Sequence, residues 1–107
     1  TPEGTRALKQ WLAPPIPLTD AAASFSPIRT RLYFLKALPR KQRLAYLEEA
    51  LEQSKAQFPI LEANEEKYVE SGDVFGRLAA QGMRRTVESH IAWLKELRQT
   101  LRQADLI

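Results

Sequence analysis

The sequence predicts an all-α protein of four helices, whose last two helices are long and form an antiparallel hairpin with coiled-coil-like dimerisation. Three observations predict this fold class. Apolar residues recur at steps of three and four along most of the chain. Cap residues followed by proline or by an apolar run mark the helix starts. No segment is predicted to be a strand.

Length and composition limit the class of protein. The 107 residues suit one domain, and 44% hydrophobic with 27% charged residues suit a soluble globular protein. The absence of cysteine excludes disulfides and thiolate metal sites. No signal peptide or membrane-spanning run is visible, so we expect a cytoplasmic protein without membrane contact. The opening residues are typical of the interior of a longer chain, so we expect an N-terminal part before Thr1.

The first helix is predicted over residues 2–12. Thr1 is a capping residue, and the proline and glutamate that follow it suit a first helical turn. Leu8, Trp11 and Leu12 share one face, and the prolines at 14 and 15 end the helix. So short a helix has little stability alone, and we expect it to dock through that apolar face.

A proline-rich linker is predicted to follow, which divides the chain into a helix over residues 1–13, a linker over 14–25 and a helical dimerisation domain over 26–107. Ser26 and Pro27 give the second cap-and-proline start. The helix that begins there is predicted to run over residues 27–38 and to stop at Pro39.

The third helix is predicted over residues 40–69, with a kink. Pro59 lies inside the pattern, lacks a hydrogen-bond donor, and should bend or break the helix near Phe58. Ser71 and Gly72 form a turn, and Asp73 caps the last helix, over residues 74–103. Steps of three and four give the third helix a seam of Leu44, Leu47, Leu51, Ser54, Phe58 and Leu61.

The last helix organises the prediction. Its thirty residues make a rod of roughly 45 Å, which is longer than a domain of this size is wide. We therefore expect a second copy of the chain to cover part of its apolar face, mainly along residues 82–101. That face consists of Phe75, Leu78, Met83, Val87, Ile91, Leu94, Leu97 and Leu101. The predicted dimer interface consists of Met83, Val87, Ile91, Leu94, Leu97 and Leu101.

Charge is divided into blocks. Residues 1–45 carry a balance of +6, residues 46–73 a balance of −6 and residues 74–107 a balance of +3. One interpretation is that the acidic middle lies against the basic last helix. The alternative is that these are solvated faces that differ in sign. A net charge of +3 does not by itself indicate nucleic-acid binding.

The residues suggest no catalytic, metal or cofactor chemistry. His90, the one histidine, has no Glu or His three or four residues away, so it is interpreted as a core or interface residue. No cysteine nucleophile, nucleophile elbow or phosphate loop is present, so we expect no enzyme. Trp93 is interpreted first as a core or interface residue. Together with His90 it forms the candidate effector pocket.

Three segments resemble PadR-like transcriptional regulators. The opening T-P-E-G-T-R-A-L-K-Q-W-L is similar to the helix that leaves the winged-helix domain in that family. The stretch R-L-Y-F-L-K-A-L-P, residues 31–39, is similar to the start of the family's C-terminal helical domain. The spacing from Gly82 to Trp93 and Leu94 is similar to the last helix of the virulence-activator (AphA-like) branch.

This resemblance implies the C-terminal dimerisation domain of a DNA-binding regulator without its winged helix. It implies a homodimer, DNA contact only through the missing winged helix, and in some members a small aromatic effector near the interface. Two alternatives stay open on the residues alone. One is a ligand-sensing helical domain, and the other is a structural adaptor unrelated to transcription.

Overall fold

The computed structural model describes residues 1–15 and 26–107, and within these ranges it is helical and has no strand. Residues 16–25, most of the predicted linker, lie outside the described residues. A 3₁₀ turn over Leu35–Ala37 lies between the second and third helices. The helices are α1 (Pro2–Leu12), α2 (Pro27–Leu32), α3 (Arg40–Ala56), α4 (Phe58–Ser71) and α5 (Val74–Gln103).

The predicted helix starts are confirmed. At three of them, the side chain before the helix accepts a hydrogen bond from a free backbone N–H of the first turn. Proline in the first turn of α1 and α2 removes one donor that would otherwise be unpaired. The capping bonds run from Gly4 to Thr1 Oγ1 (3.0 Å), from Arg29 to Ser26 Oγ (3.3 Å) and from Gly76 to Asp73 Oδ1 (3.0 Å).

The helix predicted over residues 27–38 is shorter in the structure. It ends at Leu32, and its last part is wrong, because the chain there forms the 3₁₀ turn. Pro39 disfavours a helical conformation at Leu38, whose backbone is extended. The guanidinium of Arg43 donates to the Leu38 and Lys36 carbonyls, which stabilises the turn.

The predicted kink in the third helix is confirmed. Gln57 separates α3 from α4, and Pro59 occupies the first turn of α4, where its missing N–H is tolerated. α4 continues to Ser71, two residues beyond the predicted end. Gly72 then ends it with a φ of 73°, a left-handed conformation that favours glycine.

The core lies where α3 and α4 pack along α5. The predicted seam faces it: Leu47, Leu51 and Ser54 are buried. Ser54 Oγ donates to the Ala50 carbonyl at 2.7 Å, so burial leaves this hydroxyl paired. The buried apolar residues are Leu35, Leu47, Ala50, Leu51, Ala80, Val87, Ile91 and Leu94.

Ion pairs join the acidic middle of the chain to the basic last helix. Glu65 on α4 accepts from Arg84 on α5, and Glu48 on α3 accepts from Arg98 further along α5. The structure therefore supports the interpretation that the charge blocks lie against each other. Residues further along α5 pair with residues earlier in the chain: Arg84 pairs with Glu65, and Arg98 pairs with Glu48.

The first helix does not dock as predicted within the described part of the chain. Leu8, Trp11 and Leu12 are 53%, 75% and 64% exposed, and no residue of α1 is buried. The core face of α5 is covered by α3 and α4, and no residue of α1 joins the core cluster.

Replacing Leu47 by alanine tests the core. Leu47 is 2% exposed, and a large-to-small change at such a site costs about 2–5 kcal/mol of unfolding free energy. We expect the urea midpoint, followed by circular dichroism, to fall accordingly. Ile60→Ala is the control, because Ile60 is 73% exposed and its loss should leave the midpoint nearly unchanged. Equal shifts for both variants would contradict the assigned core.

Candidate interaction surface

Helix α5 turns one face to the core and another to solvent. Ala80, Val87, Ile91 and Leu94 follow one another at helical spacing and are buried. Phe75 and Leu78, in the first part of the helix, are 88% and 49% exposed. α5 is therefore covered on one side from Ala80 to Leu94 and carries uncovered apolar surface on another side near its start.

Three residues of the predicted dimer interface lie in the core of the single chain. Val87 and Ile91 are each 7% exposed and Leu94 is 1% exposed, and they cluster with Ala50 and Leu51 of α3. Their apolar surface is covered without a second copy. These three side chains have little exposed surface left for contact with a second copy.

The other three interface residues differ in exposure. Leu97 is half-buried and packs against the core cluster, and Leu101 is also half-buried. Met83 is 56% exposed. Of the six predicted residues, Met83 is thus the one whose side chain is mostly free to contact another molecule.

Sequence reasoning missed Phe75 and Leu78 as interface candidates, although both were assigned to the apolar face. A signal was present in the chain. The apolar pattern of the preceding helices fades after Leu61, so the part that pairs with the start of α5 has few apolar residues to cover it. Ile60 and Val69 of α4 are exposed as well.

We define the exposed stripe as Phe75, Leu78, Gly82, Met83 and Thr86. These positions follow helical spacing and share one side of α5. A Cβ built on Gly82 would meet no atom within 4 Å, so this glycine faces open space. Another helix can approach closely at such a point. Thr86 Oγ1 donates to the Gly82 carbonyl at 2.9 Å, which satisfies the hydroxyl locally.

The candidate effector residues are adjacent on α5. The rings of His90 and Trp93 have centroids 5.7 Å apart and are tilted by 37°. Both are half-buried, and Trp93 packs against the core cluster. The structure therefore brings these two residues together at the margin of the core.

A cavity of about 500 Å³ lies elsewhere, between α2 and α3. Ile28 and Arg31 line it from α2, and Tyr46 and Glu49 from α3. The Tyr46 hydroxyl oxygen is buried and, within the described residues, has no hydrogen-bond partner. Buried hydroxyls are normally paired, so this one is an exception within the described residues.

An ion-pair network stands beside the exposed stripe. Arg84 Nε donates to Glu65 Oε2 on α4 at 2.6 Å, and Arg84 also pairs with Glu88 Oε1 at 2.6 Å. The hydrogen bond from Arg84 holds the pKa of Glu65 below its ordinary value of 4.5. The same bonds raise the pKa of Arg84. This network joins α4 to α5 next to Met83.

No group of three or more His, Cys, Asp or Glu side chains in residues 1–15 and 26–107 is placed to hold a metal ion. None of the helices in these ranges is both long and apolar enough to cross a membrane.

Comparison with known proteins gives a match to a protein family. A family model described as "virulence activator alpha C-term" matches residues 26–102, which is more than half of the chain. No curated protein and no solved structure matches the chain. The matched region contains all of α2 to α4 and nearly all of α5, and it excludes α1.

Replacing Glu65 by glutamine tests the network. A lowered pKa in the folded state means that Glu65 adds stability above its ordinary pKa, and that this contribution is lost as pH falls from about 4.5 through the lowered value. We expect Glu65→Gln to lower the melting temperature at pH 7 and to match the wild type in strong acid. Glu66→Gln, at the exposed neighbour, is the control. A Glu65→Gln deficit that persists in strong acid would contradict the ion-pair origin.

Proposed function

The chain belongs to the virulence activator alpha C-terminal family, which indicates a role related to transcription regulation, and we propose that it is the homodimerisation module of a PadR-like DNA-binding regulator. The observation that carries the proposal is the exposed stripe on α5. Contiguous apolar patches on a protein surface often mark sites of contact with another molecule, whereas single exposed apolar residues are ordinary.

The unit that dimerises is, in this proposal, an antiparallel hairpin in which α3 and α4 run back along α5. The ion pairs support this arrangement. Glu65 meets Arg84, Glu48 meets Arg98 at 3.0 Å and Arg40 meets Asp105 at 3.2 Å. The steady change of partner along α5 is the pattern expected of two helical segments that run in opposite directions.

A second copy is the occupant we propose for the exposed stripe. Within the stripe, Phe75 and Met83 are the most exposed large apolar side chains, at 88% and 56%, so they gain most from burial. Gly82 between them allows two helices to approach closely. Pairing the same surface of two copies around a two-fold axis closes the assembly, and this is the commonest symmetry of soluble oligomers. In this proposal the interface lies nearer the start of α5 than the one predicted along residues 82–101.

The dimer would serve DNA binding by spacing two winged helices. Two-fold related DNA-binding domains contact half-sites about one helical turn apart, so the rigid module between them sets the distance. In this proposal the winged helix precedes Thr1 and reads the base sequence, and the protein works in the cytoplasm. The module itself has no catalytic role and needs no cofactor.

Sedimentation velocity of Phe75→Glu/Met83→Glu tests the dimer. We expect the wild type to be a dimer at tens of micromolar and the variant a monomer of unchanged helix content, because both side chains are exposed in the single chain. Ile60→Glu/Val69→Glu adds the same charge at exposed sites on α4 and should leave the dimer intact. A monomeric wild type, or a variant that stays dimeric, would refute the proposal.

Effector sensing is the second candidate function, and two observations favour it. His90 and Trp93 form a ring pair at the core margin, and the cavity between α2 and α3 is lined by Tyr46, whose hydroxyl has no hydrogen-bond partner within the described residues. The volume of about 500 Å³ lies in the range of small-molecule sites. The ring pair offers aromatic surface, and the cavity is lined by Tyr46. A small aromatic acid would suit either place.

Tryptophan fluorescence tests effector binding. Trp11→Phe leaves Trp93 as the single emitter, and we expect saturable quenching of Trp93 by small aromatic acids. Loss of the response in Trp11→Phe/His90→Ala would locate the site at the ring pair. Loss in Trp11→Phe/Tyr46→Phe would locate it in the cavity. A flat titration with every acid tried would contradict effector sensing.

A further inference from the structure

One surface of the chain is strongly basic and is not used by the dimer. Residues 26–47 contain six lysines and arginines and no aspartate or glutamate. Among the basic side chains, Arg31, Lys36 and Lys41 belong to exposed residues. The acidic residues of the chain are concentrated further along, on α3 and α4. A local excess of positive charge therefore stands at the start of the helical region.

Two aromatic side chains project from the same segment into solvent. Tyr33 is 76% and Phe34 is 70% exposed, whereas Leu35 directly after them is 6% exposed. Leu35 anchors the backbone to the core and leaves the two rings outside. Exposed neighbouring aromatics are costly to leave in water unless they contact something, because each carries a large apolar area.

The segment has a fixed shape. Arg43 Nε donates to the Leu38 carbonyl at 2.8 Å, and its two terminal nitrogens donate to the carbonyls of Lys36 at 3.0 Å and Leu106 at 3.2 Å. One guanidinium thus joins the 3₁₀ turn, the start of α3 and the end of the chain. A preorganised surface binds with less loss of conformational entropy than a mobile one.

Nearby negative charge neutralises part of this basic surface, and the rest stays positively charged. Asp105 pairs with Arg40, and Glu49 lines the same cavity as Arg31. Lys36 and Lys41 contribute charge on each side of Pro39. Lysine is depleted at protein–protein interfaces but is a common partner of nucleic-acid phosphates. The composition therefore favours a polyanion over another protein.

We propose that this surface, the basic turn of residues 31–41, contacts the phosphate backbone of duplex DNA. The inference rests on the proposed function, in which the chain is part of a DNA-binding regulator. Lys36 and Lys41 neutralise phosphates, and the Tyr33 hydroxyl and the Phe34 ring add contacts to the sugar–phosphate edge. Such contacts strengthen binding and fix its orientation without reading sequence, which remains the task of the winged helix.

Fluorescence anisotropy of the 107-residue chain with a labelled duplex of mixed sequence tests the inference across a salt series. We expect the wild type to bind, with an affinity that falls as salt rises. Lys36→Gln/Lys41→Gln should weaken binding at low salt and reduce the logarithmic salt slope by about 2, one for each phosphate contact. Tyr33→Ala/Phe34→Ala should weaken binding and leave the slope nearly unchanged, because no charge is lost.

The matched control is Lys55→Gln/Lys95→Gln, which removes two exposed positive charges from other parts of α3 and α5. Equal loss of affinity in both lysine variants would mean that net charge alone drives binding, and would overturn the inference. Absence of wild-type binding at the lowest salt would overturn it as well.

Sedimentation of the same variants separates this inference from the dimer proposal. The alternative is that the basic turn contacts the acidic residues 46–73 of a second copy. In that case Lys36→Gln/Lys41→Gln would weaken self-association and the chain would not bind DNA. That result would overturn the DNA contact and leave a dimer. A monomeric wild type that binds DNA with the expected variant pattern would support the contact and refute the dimer.

Discussion

Burial of the second half of α5 against α3 is the constraint on which the rest of this structure depends. Val87, Ile91 and Leu94 enclose Ala50 and Leu51, and Leu94 keeps only 1% of its surface exposed. A helix of thirty residues is not covered evenly by the 17 and 14 residues of α3 and α4, because the buried apolar residues of these two helices, Leu47, Ala50 and Leu51, all lie in α3. Strong burial at one end therefore leaves apolar surface at the other.

Polar contacts fix the geometry that this burial permits. The Glu65–Arg84 and Glu48–Arg98 pairs join the acidic helices to the basic one, at the two levels where α4 and α3 pass along α5. Arg43 binds three backbone carbonyls at the far end. Surface ion pairs contribute little to stability individually, so their main effect is to select one alignment of the helices. That alignment places the exposed stripe and the basic turn on separate parts of the molecule.

The two surfaces suit different partners for physical reasons. The exposed stripe is apolar with an open glycine, so it favours another helix that can bury the same kind of surface. The basic turn combines positive charge with projecting rings, so it favours a polyanion. Membership of the virulence activator alpha C-terminal family indicates a role related to transcription regulation for the chain. A module that pairs copies through one surface and steadies DNA through the other would combine the two requirements of a dimeric regulator.

The sequence by itself determined the helices, because capping residues, prolines and apolar spacing act locally. Thr1, Ser26 and Asp73 cap as expected, and α5 has its predicted bounds, Val74–Gln103. Only the tertiary structure decided which apolar residues are core and which are surface. Val87 and Phe75 follow the same spacing on one helix, yet one is 7% and the other 88% exposed. Periodicity shows that a face is apolar, but the length and composition of the neighbouring helices decide how much of it they cover.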